Sequence, residues 1–126
     1  MRYLSIEDIL RLHFEVIEDY GGSHGIREEG RLLAVVDAPQ QAVFGEEQYK
    51  TIYEKAAVYY RNIIADHAFI DGNKRTATTC TAVFLQLNGY KLTASPKVLE
   101  DFAVQIATDH LEIKAIAEWL EKYTIK

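Results

Sequence analysis

The sequence predicts an all-α fold, a single-domain helical bundle of about six helices over residues 1–126. Three observations carry that expectation. Only two prolines and seven glycines punctuate the chain, so long stretches are free to stay helical. Between those breaks, apolar residues recur at three-to-four spacing, and the only strand-like scrap is Tyr90-Lys91-Leu92. Helix start and stop signals fall at the edges of the periodic stretches.

The first helix starts at Ser5, an N-cap with Asp8 three residues on, and Leu4 and Ile9 stand where a hydrophobic staple joins. Ile6, Ile9, Leu10, His13, Ile17 and Tyr20 form its expected inner stripe, and Gly21-Gly22 ends it. A polar loop runs through Glu28. A short helix then carries Leu32, Leu33, Val35 and Val36 before Pro39. Residues 39–49 lack a period and contain Gly45, which reads as a loop or short flap. A longer helix runs from about Thr51 to Asp66 with Ile52, Ala56, Tyr59 and Ile63 on one side. The next begins near Lys74, keeps Ala77, Cys80, Phe84 and Leu87 in register, and stops at Asn88-Gly89. Ser95-Pro96 reads as N-cap and first residue of another helix, with Leu99, Phe102, Ala103 and Ile106 inward. A last helix, roughly 113–123, turns Ile113, Ile116, Ala117 and Leu120 to the core. No repeat, linker or low-complexity segment divides the chain, so one domain is expected.

Composition narrows the function. Hydrophobic residues make up 48% and charged residues 26%, which is ordinary for a soluble globular protein. One cysteine allows no internal disulfide, and Met1-Arg2 leads straight into a segment with Glu7 and Asp8, unlike a signal peptide. A reducing, cytoplasmic setting with no membrane partner is the expectation. A net charge of −5 argues against direct binding to nucleic acid. An acidic body with a local basic cluster suits a confined anionic ligand instead.

That cluster lies between the two central helices. His67-Ala68-Phe69-Ile70-Asp71-Gly72-Asn73-Lys74-Arg75 packs a histidine, a carboxylate, a glycine, an amide and two cations into one loop. Gly72-Asn73 precedes a helix start, where orphan N–H groups and the helix dipole attract anions. Gly72 permits close backbone approach, and Asn73 adds a side-chain amide. Lys74 and Arg75 suit phosphate oxygens. Asp71 offers a hard oxygen ligand of the kind Mg²⁺ takes beside a nucleotide. Histidine titrates near neutrality, so His67 can accept a proton from an attacking hydroxyl. Together these parts describe transfer of a phosphate-containing group. An Asp-Gly turn before a basic helix and a histidine at a helix end also serve purely structural ends. The segment matches neither the P-loop nor the protein-kinase signatures, and a lone Cys80 argues against a zinc site on ligand count.

The segment His67 to Thr76 resembles the H-x-F-x-D-[GA]-N-K-R-T signature of the Doc toxins within the Fic/Doc family. The likeness extends to Tyr20-Gly21-Gly22, Gly25-Ile26-Arg27, Pro39-Gln40-Gln41, Lys55-Ala56-Ala57, Phe84-Leu85 and Asn88-Gly89-Tyr90. The resemblance implies an all-α Fic/Doc-like bundle in which His67 is the general base and Asp71 holds Mg²⁺. It implies that Gly72 and Asn73 form an anion hole, that Lys74 and Arg75 clamp ATP phosphates, and that Phe69 anchors the loop in the core. Residues around 40–49 would form a flap that pairs with the target protein. Fic enzymes that transfer nucleotides carry glycine where Lys74 stands, and a second arginine where Thr78 stands. In the Doc branch the lysine goes with transfer of the γ-phosphate to a translation factor, elongation factor Tu. Adenylyl transfer and a catalytically idle antitoxin-binding module are the alternatives. The inhibitory [ST]-x-x-x-E-[GN] segment of many Fic proteins is not matched: Gly25 stands at the hydroxyl position before Glu29-Gly30. A separate antitoxin partner, binding through a segment that folds on contact, is therefore expected.

Other candidates have quieter readings. His13 reads as a packed, hydrogen-bonded histidine, His24 as exposed loop, and Cys80 as a buried small hydrophobe. Tyr53, Tyr59 and Tyr60 read as packing residues, and Glu28-Glu29 and Glu46-Glu47 as solvated acids. His110 has no identifiable partner.

Overall fold

Capping chemistry sets where the helices begin. In the computed structural model, which describes residues 1–126, Ser5 and Asp8 exchange hydrogen bonds as a capping box and open α1 (Ile6–Tyr20). Thr51 and Glu54 do the same for α3 (Ile52–Asp66). The Ser95 hydroxyl accepts from the Val98 N–H and opens α5 (Pro96–Asp109), with proline at its first position. Between these lie α2 (Glu29–Asp37), α4 (Asn73–Leu87) and the closing α6 (Ile113–Lys122). Two small antiparallel ribbons complete the fold: β1 (Ala42–Val43) with β2 (Glu46–Glu47), and β3 (Lys91–Leu92) with β4 (Thr124–Ile125).

Helix α3 is the spine. It packs against α4 on one side and α6 on another, so its buried residues run well beyond one stripe: Ile52, Ala56, Ala57, Val58, Tyr59, Tyr60, Ile63 and Ile64. Leu4 and Ile9 are buried together, as the staple requires, and the Leu4 N–H donates to the Tyr59 hydroxyl at 3.0 Å. Phe84 tilts against Tyr59 with ring centroids 4.9 Å apart, joining α4 to the same core. No helix is long and apolar enough to cross a membrane.

Three details differ from the sequence expectation. The buried stripe of α1 is Ile9, Leu12, His13, Val16 and Ile17, whereas Tyr20 is 64% exposed. The last turn of α1 runs past the core edge, and the Tyr20 ring lies under the Arg75 guanidinium, 4.3 Å from its carbon to the ring centroid. Leu33 is exposed, because α2 buries only the edge defined by Leu32 and Val35. Finally, Lys91-Leu92 finds a partner in Thr124-Ile125, a pairing between distant segments that no local pattern announces. The Thr93 N–H and hydroxyl both donate to the Tyr123 carbonyl, at 2.7 and 2.8 Å, and hold the ribbon shut.

Candidate active site

Helix α3 ends where His67 turns left-handed, with φ 49° and ψ 50°. Histidine enters this region more readily than most residues, and His110 ends α5 in the same way, so the backbone alone is not a functional signal. The next two residues set this helix end apart. Ala68 and Phe69 plunge into the core, each 1% exposed, and the Phe69 ring stacks flat on His13 at 3.8 Å and 5°. The anchor role expected of Phe69 is thus its observed position.

Polar groups fix the rest of the loop. The Ala68 carbonyl accepts from the N–H groups of Arg27 and Glu28, and the Ile70 N–H donates to the Gly25 carbonyl at 3.1 Å. The Asn73 side chain grips Phe69 from both sides: Oδ1 accepts from its N–H at 3.1 Å, and Nδ2 donates to its carbonyl at 3.0 Å. Asn73 therefore serves the loop with its side chain. Its backbone N–H and the second hydrogen on Nδ2 remain free to meet an anion.

Asp71 is exposed yet well positioned. Its Oδ2 accepts from the Ser23 N–H at 3.1 Å and its Oδ1 from the Gly72 N–H at 2.8 Å. These N–H groups, Ser23 first and then Gly72, hold the carboxyl below its ordinary range, so it is a carboxylate at neutral pH. The Asp71 carbonyl accepts from His13 Nε2 at 2.8 Å, which assigns the proton to that nitrogen because a carbonyl cannot donate. Burial lowers the His13 pKa, against the opposing pull of this hydrogen bond, and keeps the ring neutral.

Gly72 then caps α4 with φ 74°, a left-handed conformation that favours glycine, and supplies no capping side chain. The first intrahelical acceptor of this turn is used by the Thr76 N–H, which reaches the Gly72 carbonyl at 2.9 Å. The N–H groups of Asn73, Lys74 and Arg75 lie in the first turn, where a helix provides no acceptor. That turn carries no acid and two cations, the reverse of what the helix dipole prefers. Bare N–H groups, a positive dipole end and two cations form a strong anion site.

A cleft of about 430 Å³ adjoins it, lined in part by Tyr20, Lys74, Arg75, Thr78, Leu99 and Ala103. Thr78, whose hydroxyl meets the Tyr60 hydroxyl at 2.9 Å, fills far less of this wall than an arginine would. The fit to Mg²⁺ rests on donor chemistry. No group of three or more His, Cys, Asp or Glu residues could hold a metal, and each Asp71 oxygen commits one lone pair to an N–H. The remaining capacity suits a cation that takes one carboxylate and completes its shell with phosphate and water.

The loop thus brings Phe69, Asp71, Gly72, Asn73, Lys74 and Arg75 into one structure, with His67 at its other end. Sequence reasoning missed Ser23; it read His13 as packed and hydrogen-bonded, as it is, without naming Asp71 as the partner. The sign was present in Tyr20-Gly21-Gly22 and Gly25, a glycine-rich turn with no secondary structure of its own to explain it. Outside the loop, burial pushes the Cys80 thiol pKa up, so Cys80 is an inert core residue. His24 is exposed and pairs with Glu18 at 2.8 Å. Glu47 is solvent-exposed, as expected, but its Oε1 also accepts from the buried Lys55 ammonium at 3.1 Å.

Fold and loop together define a small all-α domain with a helix start whose free N–H groups and two cations suit an anion. The chain belongs to the Fic/DOC family, whose pattern matches residues 3–85. It is 36% identical over 117 residues to Toxin Doc of Mycolicibacterium smegmatis, covering 91% of this chain and 88% of that protein. It is 34% identical over 122 residues to Protein kinase doc of Escherichia phage P1, covering 97% of this chain and 95% of that protein.

Proposed function

We propose that this chain is the toxin of a toxin–antitoxin pair and transfers the γ-phosphate of ATP to a hydroxyl on a translation factor, with elongation factor Tu the expected target. The observation that carries the reading is the first turn of α4, where bare N–H groups meet Lys74 and Arg75 beside the Asp71 carboxylate. The cleft that begins at those two cations leaves room for a nucleoside where a second arginine is missing. The relatives' names, Toxin Doc and Protein kinase doc, point the same way.

In this mechanism the N–H groups of Asn73, Lys74 and Arg75 and the two cationic side chains bind and orient the phosphates. Asp71 is the residue that would hold Mg²⁺, which would supply neutralising charge beside the phosphates. His67 accepts the proton of the target hydroxyl as its oxygen attacks the γ-phosphorus. The bond to the β-phosphate oxygen breaks and ADP leaves. His13 and Ser23 keep Asp71 in place, and Phe69 keeps the loop in register.

Control falls to a separate protein. Gly25 has φ 127°, a conformation that strains any L side chain, so the serine or threonine of a built-in inhibitory segment has no place there. An antitoxin segment that folds on binding supplies the missing inhibition. The test is incubation with a bacterial lysate and labelled ATP. Label from the γ position should enter one translation factor; label in no protein, from any position of ATP, refutes an enzymatic role.

A further inference from the structure

The side chain of Lys55, on the first turns of α3, is 2% exposed, an unusual place for an ammonium group. Its three N–H donors find three acceptors. One is the Pro39 carbonyl at 3.5 Å, just before the flap; another is the Tyr49 carbonyl, just after it. The third is Glu47 Oε1 at 3.1 Å, on the returning strand β2. A lysine has three donors, so the set is complete. Burial by itself lowers the Lys55 pKa; the bond to Glu47, with Tyr3 nearby, overcomes it and leaves the group charged.

The flap has little else to hold it. β1 and β2 are two residues each and wholly exposed, and Phe44 at the tip is 102% exposed. The ribbon adds one more backbone bond at its base, from the Gln48 N–H to the Gln41 carbonyl at 2.9 Å. We propose that Lys55 is a positioning residue for the acceptor protein: its ammonium ties both legs of the flap to α3, and so fixes where the flap presents a target segment to the motif loop at the far end of that helix. This inference rests on the reading that the flap receives a protein target. Lys55 and His67 stand at opposite ends of α3, so one rigid helix sets the flap and the base in a common frame.

Lys55→Met removes the donors at similar volume, and Glu47→Ala removes one acceptor at a half-exposed site where folding is not at stake. Hydrogen exchange in the full chain should accelerate about tenfold across residues 42–48 in both variants while residues 68–76 stay protected. With purified elongation factor Tu as acceptor, KM for the protein should rise about tenfold with kcat within about twofold, the mark of lost binding rather than lost chemistry. Mg-ATP affinity should not change, and Glu47→Gln, which keeps an oxygen acceptor, should recover most of the effect. Unchanged flap exchange, or acceleration that spreads equally into residues 68–76, overturns the tether. A fall in kcat at constant KM overturns its role in positioning. If elongation factor Tu is not modified by the unaltered chain, the target assignment fails, and the exchange data still decide whether Lys55 holds the flap.

Discussion

The motif loop and the flap are both short irregular segments joined to α3, yet they are built in opposite ways. The loop sends Ala68 and Phe69 into the core and is gripped from three directions: by Asn73, by the 25–28 segment, and by His13. The flap is exposed from Gln40 to Gln48 and hangs on one buried ammonium. The difference matches the tasks proposed for them. Groups that stabilise a transferring phosphate must be in place before the reaction, whereas a surface that receives a protein tolerates looser support.

Substitutions can break that contrast, and the largest effect on folding belongs to the loop. Phe69→Ala removes a fully buried ring stacked on His13 and should cost about 3–5 kcal/mol, read by urea unfolding. Unchanged stability would mean that the loop is not anchored through this ring. A smaller effect concerns pH. His13 is neutral in the folded protein with a pKa below its ordinary 6.5, so its contribution is fully present above that value and is lost as pH falls through the folded pKa. The thermal midpoint should therefore decline as pH drops below 6.5, and His13→Gln, which keeps an N–H donor, should flatten that decline. An identical slope in the variant would show that His13 does not set it. At the small end, Phe44→Ser at the flap tip should shift stability by no more than about 0.5 kcal/mol, because the ring touches little. A larger loss would show that the flap packs more firmly than its exposure indicates.

Much of this was legible in the sequence. Helix starts at Ser5, Thr51 and Ser95 are local chemistry, since the capping oxygen and the N–H it accepts are three residues apart. The motif was legible because its residues are contiguous. Contacts that depend on distant segments meeting escaped. Ser23 meets Asp71 across 48 residues, and His13 meets it across 58; neither spacing leaves a periodic trace. Asn73 has a second role that escaped for a different reason: an amide beside an anion site and an amide stapling a loop look alike until the backbone of Phe69 is placed. Glu47 is adjacent to a second acid in sequence, which hides its bond to a buried lysine on the next helix.

The central proposal is that a preformed loop orients ATP so that its γ-phosphoryl group passes to a target hydroxyl whose proton His67 accepts, with Lys74 selecting which end of ATP faces the acceptor. Lysine there adds bulk and charge, where glycine would let a diphosphate lie against bare N–H groups. The direct measurement incubates purified elongation factor Tu with ATP labelled at either the α- or the γ-phosphate, using the unaltered chain, His67→Ala and Lys74→Gly. The expected result is γ-label alone with the unaltered chain and no label with His67→Ala, whose helicity and thermal midpoint stay nearly unchanged. With Lys74→Gly, transfer should be weakened or redirected. Label arriving from the α position with the unaltered chain would make this protein a nucleotidyl transferase and contradict the claim.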